Sequence, residues 1–291
     1  MFRSIIKTMR IRQWVKNVFV LAALVFDRQL TIFNSVERSV AGMLLFCLLS
    51  SVVYIVNDVM DVEADRQHPK KRNRPIAAGK LPIPVALAVA VALCVIVFPL
   101  AYLLSLDFAI ICAIYLAVNL AYSRWLKHMP LVDVLVLASC YVLRVASGVT
   151  LIHVERFSPW LYVVTTLLAL YLGFGKRRSE LSDLGTSANV HRPVLDGYTI
   201  PLLDQLITIV SSTAIVAYSF YTFSAPNVPE NHTMMLTIPF VMYGIFRYLY
   251  LIQVEHAGGA PEELVLTDRP LQAAIGLWGL AVVLVFYLFS S

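Results

Sequence analysis

Nine stretches of the chain are apolar over a length that suits a membrane-spanning helix. Each runs for about 20 residues with few charges, which is what an α-helix needs to cross the hydrocarbon core of a bilayer. The pattern predicts an all-α, polytopic membrane bundle of nine transmembrane helices in a single domain, residues 1–291. The predicted spans are 18–33, 40–60, 82–105, 107–124, 131–152, 159–175, 201–223, 233–252 and 271–290.

Prolines mark the beginnings of several of these stretches. Proline fits the first turn of a helix, because the N–H that it lacks would have no partner within the helix there. The prolines concerned are Pro82, Pro84, Pro130, Pro159, Pro201 and Pro270. They support the boundaries of the third, fifth, sixth, seventh and ninth stretches.

The overall composition agrees with a membrane protein. Hydrophobic residues make up 59% of the chain and charged residues 14%, and the mean hydropathy is +0.76. A soluble domain is nearer half apolar and a quarter charged. The four cysteines lie in apolar stretches without the spacing of a zinc site, so we interpret them as small buried hydrophobic residues.

Positive charges are unevenly distributed among the segments that join the stretches. Of the 23 Lys and Arg residues, 19 fall in the N-terminal arm and after the second, fourth, sixth and eighth stretches. Cytoplasmic loops carry such an excess, so we predict an N-in, C-out topology in the inner or plasma membrane, with these loops as a cytoplasmic cap. The net charge of +5 follows from this topology and attracts anionic lipid headgroups. Nucleic acid is therefore excluded as a partner.

An acidic motif, Asn57-Asp58-x-x-Asp61-x-x-x-Asp65, ends the second stretch. At 100° per residue, its three carboxylates fall within about a 60° arc of one helix face. Like charges this close repel, and more strongly near a bilayer, so the motif indicates a cation among them. Oxygen ligands suit Mg²⁺, with Mn²⁺ as the alternative ion, and Mg²⁺ commonly joins carboxylates to substrate phosphates. We predict Asp58, Asp61 and Asp65 as metal ligands, against the alternative of a solvated helix end.

A basic stretch follows the acidic motif directly. Residues 66–80 contain six Lys and Arg side chains. A metal and guanidinium groups together suit a polyphosphate, because guanidinium binds phosphate oxygens in pairs. We predict that Lys70, Arg72 and Arg74 bind phosphate. The alternative, a cytoplasmic loop in contact with lipid headgroups, accounts for part of this charge whatever the function.

The N-terminal arm carries a polar group at the same predicted membrane face. Gln13, Lys16 and Asn17 surround Trp14, which is also an ordinary setting for an interfacial Trp anchor. Because the acidic motif lies at the same face, we predict Lys16 and Asn17 as phosphate ligands and Gln13 as a pocket residue.

The end of the fourth stretch is polar as well. Asn119 and Tyr122 are spaced i, i+3, so they share a helix face. Polar side chains within a membrane helix usually face the bundle interior, as interhelical contacts or as the wall of a substrate pocket. We predict Asn119 and Tyr122 as pocket residues and the following Lys127 as a phosphate ligand.

Two further positions in the second half of the chain stand out. After the sixth stretch, Lys176 and Arg177 are predicted phosphate ligands and Glu180, four residues after Lys176, a pocket residue that pairs with it. Arg144 lies inside the fifth stretch, where a charge must face protein or water. A polar groove towards Asp133 and a purely structural arginine are both consistent with it.

The motifs as a set resemble the UbiA-type membrane prenyltransferase superfamily over essentially the whole chain. The segments most similar to its decaprenyl-phosphate phosphoribosyltransferase branch are Arg12-Gln13-Trp14-Val15-Lys16-Asn17, residues 57–79 and Gly175-Lys176-Arg177-x-x-Glu180-Leu181. This resemblance implies transfer of the 5-phosphoribosyl group from 5-phosphoribosyl diphosphate to a polyprenyl phosphate at the cytoplasmic face. It also implies that Asp58, Asp61 and Asn57 are the catalytic residues, with Mg²⁺ on the diphosphate.

One position departs from the wider superfamily. Members that transfer a prenyl group from a prenyl diphosphate typically carry a second Asp-x-x-x-Asp after the sixth span. Here the position four residues before Asp183 is Ser179, and basic residues dominate the segment. The departure favours a donor or acceptor with a further phosphate over a second metal cluster.

Two other functions remain open from the sequence. A prenyltransferase with a prenyl diphosphate donor and an aromatic or other small acceptor shares the first acidic motif. An anion transporter would place polar groups at mid-bilayer on interrupted helices, whereas the ionisable clusters here fall at one face. A homo-oligomer is consistent with either enzyme.

Overall fold

The computed structural model of the protein describes residues 1–69, 71–154, 158–184, 193–257, 259 and 261–288. Over these residues the chain is helical and contains no strand. The predicted all-α class is therefore confirmed.

Twelve α-helices and several 3₁₀ segments make up the described chain. The α-helices are α1 (Phe2–Met9), α2 (Ala22–Phe26), α3 (Phe33–Met60), α4 (Val62–Gln67), α5 (Ile83–Leu104), α6 (Leu106–Arg124), α7 (Val132–Val149), α8 (Pro159–Leu184), α9 (Ile200–Ser224), α10 (Ile238–Gln253), α11 (Pro261–Thr267) and α12 (Arg269–Leu288). The 3₁₀ segments are Ile11–Leu21, Lys71–Asn73, Leu126–His128, Pro193–Gly197 and Thr233–Thr237.

Helix beginnings follow the chemistry that the sequence indicated. Pro82 is the N-terminal cap residue of α5, and prolines lie at the first or second position of α5, α8 and α9. Side-chain caps act at two other helices: Ser105 accepts from the N–H of Phe108 in α6, and Thr199 from that of Leu202 in α9. These caps satisfy N–H groups that have no partner within the helix.

Seven of the described helices are long and apolar enough to cross a membrane, by length and composition. They are α3, α5, α6, α7, α9, the segment Thr233–Gln253 and α12. The chain is a multi-pass membrane protein on this ground. The predicted sixth span lies within α8, whose 26 residues end in a charged stretch and which is not among the seven. Nine spans and the N-in, C-out orientation stay predictions.

The predicted first span, residues 18–33, does not form one helix. The 3₁₀ segment ends at Leu21, α2 ends at Phe26, and a turn precedes α3 at Phe33. Average hydropathy could not reveal this, because it does not register that polar residues such as Asp27 and Gln29 interrupt a helix.

Contacts divide the chain into two compact units. The first unit comprises Met1–Leu24, Gln29–Met129 and Leu143–His153; the second comprises Val25–Arg28, Pro130–Val142 and Val154–Ser291. The predicted single domain remains an expectation about the whole chain.

In the first unit, α3 is the enclosed helix. In the apolar part of α3, 61% of the residues are buried, whereas in that of α5 only 17% are buried. The side chains of Val91 and Val95, for example, are exposed on α5. Val52 and Ile55 of α3 pack against Ala86 of α5. Because α3 ends in the acidic motif, the most buried of the long helices positions that motif.

The second unit has its core among α8, α9 and α10. Tyr171, Leu203 and Tyr248 belong to one buried cluster, and the Tyr171 hydroxyl donates to the Ile245 carbonyl at 2.7 Å. Gly175 permits close packing in this core, since a Cβ there would lie 2.6 Å from Ile252.

Candidate functional site

The acidic motif straddles a helix break in the first unit. α3 ends at Met60, Asp61 adopts φ −95° and ψ 7°, and α4 begins at Val62. The backbone nonetheless continues to hydrogen-bond, because the N–H of Asp61 donates to Asn57 and that of Asp65 to Asp61. The motif is therefore ordered, although it spans two helices and not the single helix end that was predicted.

Three basic side chains of the chain itself meet these carboxylates. Arg74 Nη1 lies 3.2 Å from Asp58 Oδ1 and 2.6 Å from Asp65 Oδ2, so it bridges the two acids. Arg10 forms an ion pair with the same Asp58 oxygen, and Lys127 with Asp61. Asp58 is only 2% exposed. The expectation that cations must sit among these carboxylates is met here by protein side chains.

The predicted phosphate ligand Arg74 owes its position to the residues that follow it. Pro75 and Ile76 are buried, and Ile76 belongs to the same core cluster as Val52 and Leu81. The loop closes on itself through N–H groups of Lys80 and Leu81 that donate to the Pro75 carbonyl. Burial of this short apolar segment holds the Arg74 guanidinium over the acids.

The end of α6 completes the cluster. Asn57 Nδ2 donates to Asp61 Oδ2 at 3.1 Å, and Ser123 donates to Asn57 Oδ1 at 3.1 Å. Asn57 thus orients Asp61. Asn119 is buried one turn earlier and donates to the Tyr115 carbonyl at 2.8 Å.

The carboxylates of the cluster are suitable ligands for a divalent metal, but they do not converge on one point. Among the described residues, no group of three His, Cys, Asp or Glu side chains is placed to hold one ion. Carboxylate and amide oxygens are nevertheless the ligands that Mg²⁺ prefers. The same oxygens are engaged by Arg10, Arg74 and Lys127. The donor set therefore fits the ion, and the protein's own cations compete for it.

Residues 10–21 of the N-terminal arm lie against α3. Trp14 Nε1 donates to Ser51 Oγ at 3.0 Å, and the Arg10 guanidinium lies over the Tyr54 ring at 5.0 Å. Asn17, a predicted phosphate ligand, is 1% exposed, and its amide contacts Ser50 and Arg144. The structure gives Asn17 an internal role, because its amide is already engaged by protein groups.

A second charged cluster lies in the second unit. Arg177 is 1% exposed, and its Nε lies 3.2 Å from Asp133 Oδ2, while its Nη1 pairs with Glu180. Tyr198 donates to Asp133 Oδ1 at 2.6 Å and accepts from the N–H of Leu131. Burial raises the pKa of Tyr198, and the hydrogen bond to Asp133 raises it further. Tyr198 therefore remains a proton donor to Asp133.

This cluster changes one prediction about α8. Arg177 is engaged by two carboxylates inside the protein, so it does not present its guanidinium to phosphate as predicted. Glu180 pairs with Arg177 at i, i+3, and the pairing with Lys176 at i, i+4 that the sequence suggested stays a prediction. Charge spacing along one helix could not reveal that Arg177 forms an ion pair with Asp133, more than 40 residues earlier in the sequence.

We expect Arg177→Ala to destabilise the second unit strongly. Removal of one partner from a buried pair leaves Asp133 as an uncompensated charge, which costs about 3–5 kcal/mol. The neighbouring Arg178 is 12% exposed and pairs with Asp204, which is 34% exposed and keeps contact with water when Arg178 is removed, so Arg178→Ala is the matched control with a smaller expected loss. Thermal unfolding in detergent measures both; equal shifts would contradict the buried role of Arg177.

The remaining predicted residues stand as follows. Arg72 is exposed, in the 3₁₀ segment Lys71–Asn73. Lys70 lies outside the described residues. Gln13, Lys16, Tyr122 and Lys176 are half-buried. For these six residues the predicted roles stay predictions.

Sequence reasoning missed two participants in the first unit and the partners of a third residue. Arg10 and Ser123 reach the acidic motif across 48 and 66 residues of sequence. Arg144 was singled out as a charge in an apolar helix, but its pairing with Asn17 and Tyr115 was not predicted. The available signal was polarity near a predicted membrane face, which does not pair residues from different helices.

Comparison of the sequence with known proteins identifies its relatives. Residues 18–264 match the family model described as "UbiA prenyltransferase family". The decaprenyl-phosphate phosphoribosyltransferase of Corynebacterium glutamicum is 35% identical, over 98% of this chain and 87% of that protein. Those of Mycolicibacterium smegmatis and Mycobacterium tuberculosis are 33% and 34% identical, each over 94% of this chain and 90% and 91% of theirs.

Solved structures agree at the level of the fold. A UbiA homolog from Archaeoglobus fulgidus, bound to DMAPP and Mg²⁺, superposes with a TM-score of 0.74 at 18% identity, covering 98% of this chain and 99% of that chain. A digeranylgeranylglyceryl phosphate synthase superposes with a TM-score of 0.69 at 13% identity, covering 98% of each chain. With the full-length sequence relatives, these similarities establish that the chain is a transferase that belongs to the UbiA prenyltransferase family.

Proposed function

We propose that the protein transfers the 5-phosphoribosyl group of 5-phosphoribosyl 1-diphosphate to a polyprenyl phosphate, and that the acidic cluster of the first unit receives the diphosphate. The observation that supports this most is the mixed cluster itself, in which three carboxylates and three basic side chains of the chain meet. Such a set offers ligands for both a metal and a polyphosphate. The names and near-complete coverage of the relatives favour the phosphoribosyl donor.

In this proposal the acids of the cluster bind the metal, and its basic side chains bind the phosphates of the donor. Asp58, Asp61 and Asp65 would hold Mg²⁺, which neutralises charge on the diphosphate when bound. Arg10, Arg74 and Lys127 release their carboxylates and donate to phosphate oxygens. Asn57 keeps Asp61 oriented through its hydrogen bond. Lys16, Lys70, Arg72 and Lys176 are further proposed phosphate ligands.

The chemical step exchanges one bond at the anomeric carbon. A phosphate oxygen of the lipid forms a bond to C1 of the ribose while the bond from C1 to the diphosphate breaks, and the electron pair leaves with the diphosphate. A lipid phosphate is ionised near neutral pH, so no side chain has to remove a proton. Arg10 and Arg74 would stabilise the negative charge that develops on the leaving group, which is commonly the largest catalytic effect. We expect inversion at C1.

The membrane setting of the proposal follows from the charge pattern. The acidic cluster would face the cytoplasm, where phosphoribosyl diphosphate is dissolved, in the N-in, C-out orientation. The acceptor would enter from the bilayer with its apolar chain against the exposed faces of the membrane helices.

Competition between the protein's cations and the metal leads to a prediction about binding. We expect Mg²⁺ alone to bind weakly, because it must displace Arg74 and Lys127 from the carboxylates. With diphosphate present those side chains gain phosphate partners, so the affinity of each ligand should rise by about tenfold or more, within the usual range of coupling between ligands. Calorimetry with Mg²⁺, with diphosphate and with both tests this. Equal Mg²⁺ affinity with and without diphosphate, after correction for their association in solution, would contradict it.

The donor is tested by turnover in detergent micelles. Purified protein is given labelled phosphoribosyl diphosphate with a polyprenyl phosphate or, separately, a labelled prenyl diphosphate with an aromatic acceptor. Transfer of label into lipid in the first mixture alone is expected. Turnover of the second mixture alone would replace the proposal by prenyl transfer.

A further inference from the structure

Arg144 is a buried charge that the proposed chemistry does not use. It is 4% exposed within the apolar helix α7, in the part of α7 that belongs to the first unit. Its Nε donates to Asn17 Oδ1 at 2.9 Å and its Nη2 to the Tyr115 hydroxyl at 2.7 Å. The guanidinium also lies over the rings of Tyr115 and Phe46, at 5.0 and 5.8 Å. A charge in such a helix is unfavourable unless it is engaged in this way, so its position is well defined.

Through Asn17, Arg144 holds the N-terminal arm. The Asn17 amide donates to Ser50 Oγ at 3.1 Å and to Cys47 Sγ at 3.3 Å, while its oxygen accepts from Arg144. Both ends of this amide are therefore fixed, one by α3 and the other by α7. The arm is fastened at this point between two helices of the first unit.

From Asn17 the arm follows α3 back to the acidic motif. Asn17 contacts Ser50, Trp14 contacts Ser51, and Arg10 contacts Asp58. As the residue numbers of the arm fall, those of α3 rise, so the two segments run antiparallel. The arm thus connects the Arg144 contact to the carboxylate that Arg10 meets.

A glycine provides an independent observation of the same contact. Gly148 lies one helical turn after Arg144, on the same face of α7. A Cβ at Gly148 would lie 1.9 Å from the Val20 carbonyl oxygen. Only glycine permits this approach, so the face of α7 that carries Arg144 is fitted to the backbone of the arm.

The other end of the arm needs such support. Arg10 has φ 52° and ψ 54°, a left-handed conformation that L-residues adopt only at a cost. It joins α1 to the 3₁₀ segment and directs its guanidinium to Asp58. A residue in this conformation persists when its surroundings hold it there.

We propose that Arg144 is a positioning residue, which through Asn17 fixes the arm so that Arg10 is presented at Asp58. Asn17 contacts α3 at Ser50, eight residues or about 12 Å along the helix before Asp58, so the effect of Arg144 on Asp58 passes through the arm. The inference rests on the proposed function in one respect, namely that Arg10 contacts the diphosphate of the donor.

A double-mutant cycle tests the route through Arg10. We expect Arg144→Gln to raise the KM for phosphoribosyl diphosphate by about tenfold, the effect of losing one charge-assisted contact, with a smaller change in kcat. In an Arg10→Ala background the same substitution should add about twofold or less, because its effect passes through Arg10. Full additivity of the two changes would overturn the proposal.

Hydrogen exchange gives a readout that does not depend on turnover. In Arg144→Gln and in Gly148→Ala, amides of residues 11–21 should exchange about tenfold faster than in the unaltered protein, as expected for local opening. Amides of 83–104, in the same unit, should not change and so report on folding. Unchanged exchange in the arm of both variants would contradict the anchor. Absence of turnover by the unaltered protein would instead reject the proposed donor and leave this result standing.

If Arg144→Gln does not fold, the variants Tyr115→Phe and Gly148→Ala test the proposal in its place. Tyr115→Phe removes the hydroxyl that Arg144 contacts and keeps the ring beneath the guanidinium. Faster exchange of the arm and a raised KM in these variants support the proposal. Normal exchange and normal KM in both overturn it.

Discussion

Asp58→Asn is expected to lower kcat/KM for phosphoribosyl diphosphate by about 100-fold or more, the loss seen when one group that stabilises a developing charge is removed. Asp58 is buried at the end of α3 and accepts from both Arg10 and Arg74. Asparagine keeps the shape of the side chain but not its charge. The change therefore removes a proposed metal ligand and the anion that both guanidinium groups share.

Glu63→Gln is the matched control for that experiment. Glu63 belongs to the same acidic segment, but its side chain is 75% exposed and pairs with Arg66. An exposed pair of this kind contributes little, so we expect turnover within about twofold of the unaltered protein. If Asp58→Asn also stays in this range, with the same dependence on Mg²⁺, the acidic cluster is not the donor site.

Arg74→Ala is expected to have the second large effect, a fall of about 100-fold in kcat/KM. Arg74 bridges Asp58 and Asp65 through one nitrogen, so its loss leaves two buried carboxylates to repel each other. Arg74→Lys should recover only part of the activity, because an ammonium group cannot reproduce the planar fork that binds phosphate oxygens in pairs. The remaining loss in Arg74→Lys should appear mainly as a raised KM.

Arg66→Ala tests whether activity depends on the bridge that Arg74 forms or only on the total positive charge of residues 66–80. Arg66 has the same charge, lies on α4, and is half exposed in its pair with Glu63. We expect little change in turnover. Equal losses in Arg66→Ala and Arg74→Ala would mean that the total charge of residues 66–80 matters and the bridge does not. Steady-state kinetics of the purified variants distinguishes the two.

Local patterns predicted much of this molecule. Apart from residues 18–33, the apolar stretches correspond to the long helices, because hydropathy over about 20 residues is a property of the segment itself. The spacing of Asp58, Asp61 and Asp65 likewise identified the acidic cluster, and the basic segment after it contained Arg74. Each of these inferences depends on residues that are neighbours in sequence.

Pairings between distant segments were not predictable in this way. Asn17 and Arg177 are polar residues near predicted site segments, and both proved to be buried and engaged by protein groups. Burial is decided by packing against helices far away in the sequence. Arg10 shows the opposite case: its ion pair with Asp58 depends on how the arm lies along α3, and no spacing within the arm encodes this.

The helix break at Asp61 also limits what spacing can say about a metal. The break falls at the middle carboxylate, Asp61, which pairs with Lys127, while the other two meet at Arg74. The sequence indicates that cations are needed at the acids. It does not indicate that protein side chains provide them in this structure.

The most direct test of the account follows the two ends of the donor in one reaction. Phosphoribosyl diphosphate is prepared with one label on the 5-phosphate and another on the terminal phosphate of the diphosphate, and is mixed with the protein, Mg²⁺ and a polyprenyl phosphate. We predict that the 5-phosphate label passes into the lipid phase while the diphosphate label stays in water as diphosphate. Transfer of the diphosphate label into lipid, or retention of both labels in water, would contradict phosphoribosyl transfer by this protein.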